Sequence, residues 1–193
     1  MRIIGGTHRS RGLLAPPDAG TTRPITDRVK QSVFDRLVAM ELMGGNVLDI
    51  FAGTGSLGLE ALSRGADHCA FVEQHRAVRE LLKKNLHALG LDQQATVLGV
   101  DALGANWVAL LANLPVRLMF CDPPYAVTRD PVSMARVARL LETLAGPAEP
   151  GGALVLRTDD RTPPPSAPGW EDPRTTRYGS MAVHLFQRPI LTR

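Results

Sequence analysis

Short apolar runs alternate along the chain with stretches whose apolar residues recur at helical spacing. The runs are five or six residues long and nearly continuous, which is typical of parallel strands buried on both faces. The predicted strands are 46–51, 68–73, 95–100, 117–122, 153–157 and 181–186, and the predicted helices are 26–42, 56–64, 75–90, 103–113 and 132–145. This alternation predicts an α/β fold of Rossmann-like type with a mostly parallel sheet.

The regular pattern ends after Arg157 and is absent from the first 22 residues. Residues 161–173 contain five prolines, and the apolar run 181–186 that follows predicts a last strand in an antiparallel pair. The N-terminal stretch holds several glycines and prolines and two short apolar pairs. We therefore expect a basic N-terminal arm or hairpin over 1–22, followed by one domain over 23–193.

Length and charge narrow the classes of function. With 193 residues and 44% apolar content, the chain can bury a full core as a single domain. The net charge is only +3, but residues 1–36 carry seven Arg and Lys against three Asp. This asymmetry indicates a surface for a polyanion, and it makes Arg9 and Arg11 candidate phosphate contacts.

Cysteine use and hydropathy bear on the compartment. Cys69 and Cys121 fall in predicted buried strands without metal-ligand spacing, so we expect two reduced core thiols and no metal site. No apolar run reaches the length of about 20 residues that a membrane span needs, and the first residues lack a signal-peptide pattern. The sequence predicts a cytoplasmic protein without a membrane partner.

A glycine-rich turn follows the first predicted strand. The segment from Asp49 through Phe51, Ala52, Gly53, Thr54 and Gly55 runs from a strand into a helix that opens near residue 56, which is typical of a nucleotide-binding turn. Glu73 follows Gly53 by twenty residues, where an acid can hold ribose hydroxyls, so a nicotinamide dinucleotide is one candidate ligand. Asp49 favours S-adenosylmethionine instead, because a carboxylate suits its ammonium group and is unfavourable beside a pyrophosphate.

Acidic residues end four successive predicted strands. Asp49, Glu73, Asp101 and Asp122 each stand at or just after a strand, and Asp101, followed by Ala102, could accept a hydrogen bond from an adenine amino group. Open α/β sheets bind ligands beyond the carboxyl ends of their strands. The four acids therefore predict one ligand-binding edge.

The four residues Asp122, Pro123, Pro124 and Tyr125 indicate the chemistry. The Asp122 carboxylate and the Pro123 carbonyl can accept the two N–H bonds of a ring-attached amine and so localise its lone pair for attack. The prolines fix the backbone, and the Tyr125 ring offers a stacking surface for an extruded base. These residues predict methyl transfer to an amino group.

The ordered motifs resemble the RsmD family of 16S rRNA guanine-N2 methyltransferases over nearly the whole chain. The turn and the Asp-Pro-Pro-Tyr are shared by many amino-methyltransferases, whereas two other segments are more particular to this family. The motifs that carry the resemblance are Arg23-Pro24-Ile25-Thr26-Asp27-Arg28-Val29, the turn 49–58, the helix 59–66, Glu73, Asp101 and 122–125.

The resemblance implies a class I methyltransferase fold, with a seven-stranded sheet and a reversed last strand. It also implies S-adenosylmethionine as donor and a guanine of 16S rRNA, within the 30S subunit or an assembly intermediate, as acceptor. Arg23, Thr26 and Arg28 would lie near the cofactor and the RNA. Three features depart from the family: Ile25 where Thr is common, Arg157 where an acid is frequent, and the proline-rich 161–173.

Alternatives stay open at the level of sequence. An adenine N6 amine or a glutamine side-chain amide fits the same acceptor residues, and only the resemblance points to guanine. A nicotinamide-dependent oxidoreductase and an RNA-binding factor without activity are alternatives of a different class. We expect a monomer.

Overall fold

The computed structural model describes residues 1–16, 25–104, 106–111 and 114–190. In chain order the α-helices and strands are α1 (Asp27–Ala39), β1 (Asn46–Ile50), α2 (Ser56–Ser63), β2 (His68–Val72), α3 (Arg76–Leu89), β3 (Ala95–Leu98), β4 (Val116–Cys121), α4 (Tyr125–Arg129), α5 (Pro131–Leu144), β5 (Ala148–Asp159), β6 (Arg174–Tyr178) and β7 (Met181–Gln187). Short 3₁₀ helices cover Asp92–Gln94 and Trp107–Leu111.

The strands form one seven-stranded sheet in the order β3-β2-β1-β4-β5-β7-β6. The pairs β1–β2, β2–β3 and β4–β5 are parallel, whereas β7 is antiparallel to both β5 and β6. This confirms the predicted mostly parallel sheet with an antiparallel last strand. The chain divides into two compact units, residues 1–102 and 103–193, which are described in turn.

In the first unit, local sequence explains where the helices lie. Helix α1 begins at the N-cap Thr26, and its buried residues recur at helical spacing. Helix α3 ends at Gly90, whose φ of 68° is a left-handed conformation that favours glycine at a helix C-terminus. The buried residues of α1 are Val29, Lys30, Val33, Phe34 and Leu37.

A buried ion pair fixes the N-terminal segment to these helices. Lys30 is 1% exposed and Glu60 is 0% exposed, and their charged groups lie 3.3 Å apart. The Glu60 carboxylate also accepts the backbone N–H groups of Ile4 and Gly5, at 2.7 and 2.8 Å, and Lys30 Nζ donates to the Arg2 carbonyl. Burial lowers the pKa of Lys30, and the Glu60 carboxylate opposes that shift.

The N-terminal segment has hairpin-like backbone pairing. Arg2 and Gly12 form an antiparallel bridge, and Ser10 N–H donates to the Ile3 carbonyl. Gly6 must be glycine, because its φ is 76° and a β-carbon there would lie 1.7 Å from the Ser63 carbonyl oxygen. The predicted boundary between residues 22 and 23 lies outside the described residues.

In the second unit, β5 and β7 form the longest antiparallel ladder, from Ala153 opposite Gln187 to Asp159 opposite Met181. Helix α5 follows a strong start signal: Asp130 accepts the Ser133 N–H at its N-terminus, and Pro131 is the first helical residue. Within the proline-rich 161–173, Trp170 is 9% exposed and donates through Nε1 to the Leu141 carbonyl. The proline-rich stretch is therefore packed against α5.

Both cysteines are buried, at 0% exposure, and are free thiols. Burial raises the pKa of Cys69 well above its ordinary value. Among the described residues, no group of His, Cys, Asp and Glu could hold a metal ion. In the same described ranges, no helix is long and apolar enough to cross a membrane.

Candidate active site

The turn after β1 departs from ordinary backbone geometry at three positions. Phe51, Gly53 and Gly55 have φ values of 60°, 56° and 87°. The Ala52 N–H donates to the Val72 carbonyl, and the Gly55 N–H donates to the Ala52 carbonyl. The turn is thereby tied to the end of β2 before α2 begins at Ser56.

The two glycines of the turn have different surroundings. A β-carbon on Gly55 would lie 2.5 Å from Leu82 Cδ1, so the position requires glycine for both space and conformation. A β-carbon on Gly53 would meet no atom within 4 Å. Gly53 therefore leaves open space beside the turn, where a ligand can approach the backbone.

Glu73 orients the turn from the end of β2. Its Oε2 accepts the Gly53 N–H at 3.0 Å, and its Oε1 accepts the His75 N–H at 2.8 Å. The residue is 8% exposed. A carboxylate has about four lone-pair positions, so each oxygen can still accept a ligand hydroxyl. Glu73 is thus fixed in place and suited to bind two vicinal hydroxyls.

Asp49 has a structural partner inside α2. The residue is 1% exposed, and its Oδ2 accepts the Gly58 N–H at 2.8 Å. A carboxylate at the first turn of a helix satisfies a backbone donor and interacts favourably with the helix dipole. Asp49 therefore stabilises the start of α2 from strand β1.

The other predicted cofactor-binding residues lie in the turn and after the end of β3. Thr54 is 5% exposed and Ala102 is 4% exposed, whereas Asp101 is exposed. The structure places Asp49, Glu73 and Asp101 at or just after the ends of β1, β2 and β3, which are neighbours in the sheet. Three of the four predicted acids therefore stand at or near the ends of neighbouring strands in the first unit.

In the second unit, Asp122 and Pro123 follow the end of β4. Asp122 Oδ1 accepts a hydrogen bond from Arg157 Nε at 2.5 Å. The Pro124 carbonyl accepts the N–H groups of Val127 and Thr128 in α4. Within the described ranges, no donor contacts Asp122 Oδ2 or the Pro123 carbonyl. The sequence predicts that the Asp122 carboxylate and the Pro123 carbonyl accept the N–H groups of a ring-attached amine.

Tyr125 begins α4 and lies beneath two guanidinium groups. Arg129 Cζ is 5.4 Å from the ring centre and Arg157 Cζ is 5.5 Å from it. Arg129 also pairs with Asp159 through Nε at 3.2 Å. Burial lowers the pKa of Arg157 and the Asp122 charge raises it, with a net upward shift. Sequence analysis noted Arg157 only as a departure and missed these contacts.

The predicted RNA contacts lie in and near the N-terminal segment. Arg9 and Arg11 are exposed, and Arg11 Nη2 donates to the Ala88 carbonyl at the end of α3. Arg28 is exposed on α1, and Thr26 is the N-cap of that helix, accepting the Val29 N–H at 3.4 Å. Arg23 lies outside the described residues.

Sequence comparison identifies the family. A family model described as conserved hypothetical protein 95 matches residues 1–187. Ribosomal RNA small subunit methyltransferase D of Escherichia coli is 34% identical over 190 residues, which span 97% of this chain and 90% of that protein. The chain belongs to the RsmD family. The predicted resemblance is confirmed.

Solved structures show that the RsmD fold extends over nearly the whole chain. The Escherichia coli protein yhhF is 33% identical, with a TM-score of 0.79 over 98% of each chain. An RNA methyltransferase from Salinibacter ruber, solved with S-adenosyl-L-homocysteine, shares the fold with a TM-score of 0.59 at 16% identity, over 89% of this chain and 97% of that one. The predicted class I methyltransferase fold is confirmed.

Proposed function

We propose that this protein transfers a methyl group from S-adenosylmethionine to the exocyclic N2 amine of a guanine in 16S rRNA. The observation that carries the proposal is the pair of acceptors at the end of β4. Asp122 Oδ2 and the Pro123 carbonyl have no donor among the described residues, and they can accept the two hydrogens of an amine. Relatives that are ribosomal RNA small subunit methyltransferases support rRNA as the substrate class.

The first unit supplies residues that fit the methyl donor. The Glu73 carboxylate would accept the ribose hydroxyls, and Asp101 would accept from the adenine amino group. The space beside Gly53 lets the backbone of the turn approach the ligand, and Phe51, Ala52, Thr54, Gly55 and Ala102 would line it. Asp49, fixed by the Gly58 N–H, would stabilise the turn and act on the ammonium group through water. When bound, S-adenosylmethionine supplies an activated methyl group.

The second unit supplies residues that prepare the acceptor. Asp122 Oδ2 and the Pro123 carbonyl would orient the amine hydrogens and favour a tetrahedral nitrogen with a localised lone pair. Tyr125 would contact the face of the extruded base. No strong base is needed, because the amine becomes acidic only after it is methylated and cationic, and its proton would then pass to the Asp122 carboxylate or to water.

The guanidinium groups over Tyr125 affect how a base can stack. The Arg129 side chain is 56% exposed, whereas that of Arg157 is 9% exposed. We therefore expect Arg129 to move aside or to stack on the base itself, as guanidinium planes do in RNA complexes. Arg157 would stay in place.

The test is methyl transfer from labelled S-adenosylmethionine to 30S subunits from cells that lack this protein, with nucleoside mass spectrometry of the product. We expect labelled N2-methylguanosine in 16S rRNA, and a large decrease to a small residual rate in the variant Asp122→Ala, with circular dichroism to confirm folding. A label on adenosine would support the adenine alternative, and a label on protein would support the glutamine alternative. Either outcome, or no label, contradicts the guanine assignment.

We also propose a partner and an oligomeric state for this protein. An assembled or assembling 30S subunit suits a chain whose basic excess is confined to residues 1–36, because RNA shape within a particle can replace a separate binding module. We propose a monomer. Gel filtration with light scattering would measure the oligomeric state directly.

A further inference from the structure

Arg157 and Asp122 lie side by side because of the register between β4 and β5. The two strands are parallel, and Cys121 is opposite Leu156. Asp122 follows Cys121 after the end of β4, and Arg157 follows Leu156 in β5. Arg157 Nε donates to Asp122 Oδ1 at 2.5 Å, so the two residues are joined across neighbouring strand ends.

This contact fixes the orientation of the carboxylate. The terminal torsion of an aspartate is broad and roughly two-fold, so an unrestrained carboxylate would sample many orientations. The Arg157 side chain is 9% exposed and that of Asp122 is 18% exposed, so the pair is largely shielded from water. A shielded arginine–carboxylate hydrogen bond is strong and directional. With Oδ1 held by Arg157, Oδ2 has a defined direction.

The same guanidinium group contacts the residue proposed to stack on the base. Arg157 Cζ lies over the Tyr125 ring, 5.5 Å from its centre, within the range of a cation–π interaction. The backbone of Arg157 is anchored in the sheet, because β5 lies between β4 and β7 and Arg157 is opposite Val183 in β7. One rigid side chain therefore restrains both the acceptor carboxylate and the aromatic ring.

We propose that Arg157 is a positioning residue for the acceptor amine, holding Asp122 Oδ1 so that Oδ2 and the Pro123 carbonyl together receive the amine hydrogens. This inference rests on the proposed function and adds a residue to it. Arg157 acts through Asp122 and does not touch the reacting nitrogen. Its removal is therefore expected to affect the rate of methyl transfer more than substrate binding.

The first experiment compares three variants in steady-state methyl transfer to 30S subunits. Arg157→Met is expected to lower kcat by about 100-fold and to change KM for the subunit by less than about 3-fold, because a small misplacement of a catalytic group has effects of that size. Arg157→Lys keeps the charge but loses the planar Nε donor, so we expect an intermediate loss of about 10-fold.

The matched control is Arg117→Met. Arg117 is in β4 and pairs with Glu149 of β5 at 3.5 Å, so it makes an arginine–carboxylate contact between the same two strands, near their other ends. We expect kcat within about 2-fold of the original protein, since this pair is partly exposed and lies at the strand ends away from Asp122. Circular dichroism and thermal melting of all three variants show whether each is folded.

A double-mutant cycle separates positioning from general stabilisation. If Arg157 acts through Asp122, adding Arg157→Met to Asp122→Ala changes the residual rate by less than about 3-fold. An independent structural role would instead add the full loss measured for Arg157→Met alone. The double variant is also expected to melt at a higher temperature than Asp122→Ala, which leaves a buried guanidinium without its carboxylate.

The outcomes distinguish this inference from the proposed function. If the original protein and Arg117→Met methylate 16S rRNA while Arg157→Met is equally fast, the proposed function stands and the role of Arg157 is refuted. Additive losses in the cycle refute that role as well. If the original protein transfers no methyl group to rRNA, the proposed function fails, and the role of Arg157 fails with it.

Discussion

The side-chain amide of Asn85 donates a hydrogen bond from inside α3 to the backbone carbonyl of Thr54, over 3.0 Å. The same side chain exchanges two hydrogen bonds with Leu14: Oδ1 accepts the Leu14 N–H at 2.8 Å, and Nδ2 donates to the Leu14 carbonyl at 3.2 Å. Asn85 is 2% exposed. One buried amide therefore joins the glycine turn to the segment that follows the N-terminal bridge.

Replacing Asn85 should weaken both cofactor binding and the fold. Asn85→Leu leaves the Thr54 carbonyl and both backbone groups of Leu14 without their partner, and we expect the free energy of unfolding to fall by about 2 kcal/mol. We also expect the dissociation constant for S-adenosylmethionine, measured by calorimetric titration, to rise several-fold. The control is Lys84→Leu, at the adjacent exposed position. Unchanged affinity in Asn85→Leu would contradict a link between this amide and the turn.

The two glycines of the turn should differ in their tolerance of a side chain. Gly55→Ala places a methyl group 2.5 Å from Leu82 Cδ1 at a φ of 87°, and we expect a loss of about 3 kcal/mol in the free energy of unfolding. Gly53→Ala has only the cost of its φ of 56°, about 1 kcal/mol. Urea unfolding of both variants measures the difference. Equal losses in the free energy of unfolding would show that the Leu82 side chain moves and relieves the crowding.

His184 should make stability depend on pH. It is 1% exposed between the hydroxyls of Thr158 and Thr175, at 2.9 and 2.8 Å. Burial, with a smaller effect of the Arg177 charge, lowers the pKa of His184 to about 4 from an ordinary 6.5. His184 is therefore protonated below about pH 6.5 in the unfolded chain, but only below about pH 4 in the folded chain.

The stability from a neutral His184 is complete above about pH 6.5 and is lost as the pH falls towards 4, by about 3 kcal/mol. Urea unfolding at several pH values in this window measures it. His184→Gln removes the titrating group, so its free energy of unfolding should fall less over the same range. Parallel curves for the two proteins would show that His184 has no part in the pH dependence.

Arg9 and Arg11 should contribute phosphate contacts. The double variant Arg9→Ala with Arg11→Ala is expected to bind 30S subunits more weakly and to lower the slope of log affinity against log salt by about 2, near one unit for each lost contact. Filter binding between about 50 and 200 mM salt measures the slope. Arg174→Ala with Arg177→Ala is the matched control, since both arginines are exposed in β6. An identical slope in the N-terminal double variant contradicts the proposed RNA surface.

Hydrophobic pattern predicted the central strands because these are buried on both faces. The predicted run 46–51 contains β1, and 68–73 contains β2, with differences of one residue at the ends. Strand β6 was not predicted, because its residues Arg174–Tyr178 are polar and mostly exposed. The helix predicted over 103–113 is wrong: the structure has a 3₁₀ helix at Trp107–Leu111. Apolar spacing alone does not distinguish these two helix types over five residues.

The candidate site was predicted where a motif is contiguous and missed where it depends on register. Asp122, Pro123 and Tyr125 are close in sequence, so their pattern is visible without a structure. The contact between Asp122 and Arg157 joins residues 35 positions apart and depends on how β4 aligns with β5. The roles of Asn85 and of the Gly58 N–H likewise depend on helix packing, which a single sequence does not specify.

The burial of Cys69 and Cys121 gives the folded protein a surface without reactive thiols. A single cysteine introduced at an exposed position, such as Lys84 or Arg177, would carry a maleimide fluorophore or spin label selectively while the fold is intact. Labelling of the original protein, by contrast, would report the opening of the strands that bury these sulfur atoms. Both kinds of spectroscopic experiment can begin from the native sequence, with no prior removal of cysteines.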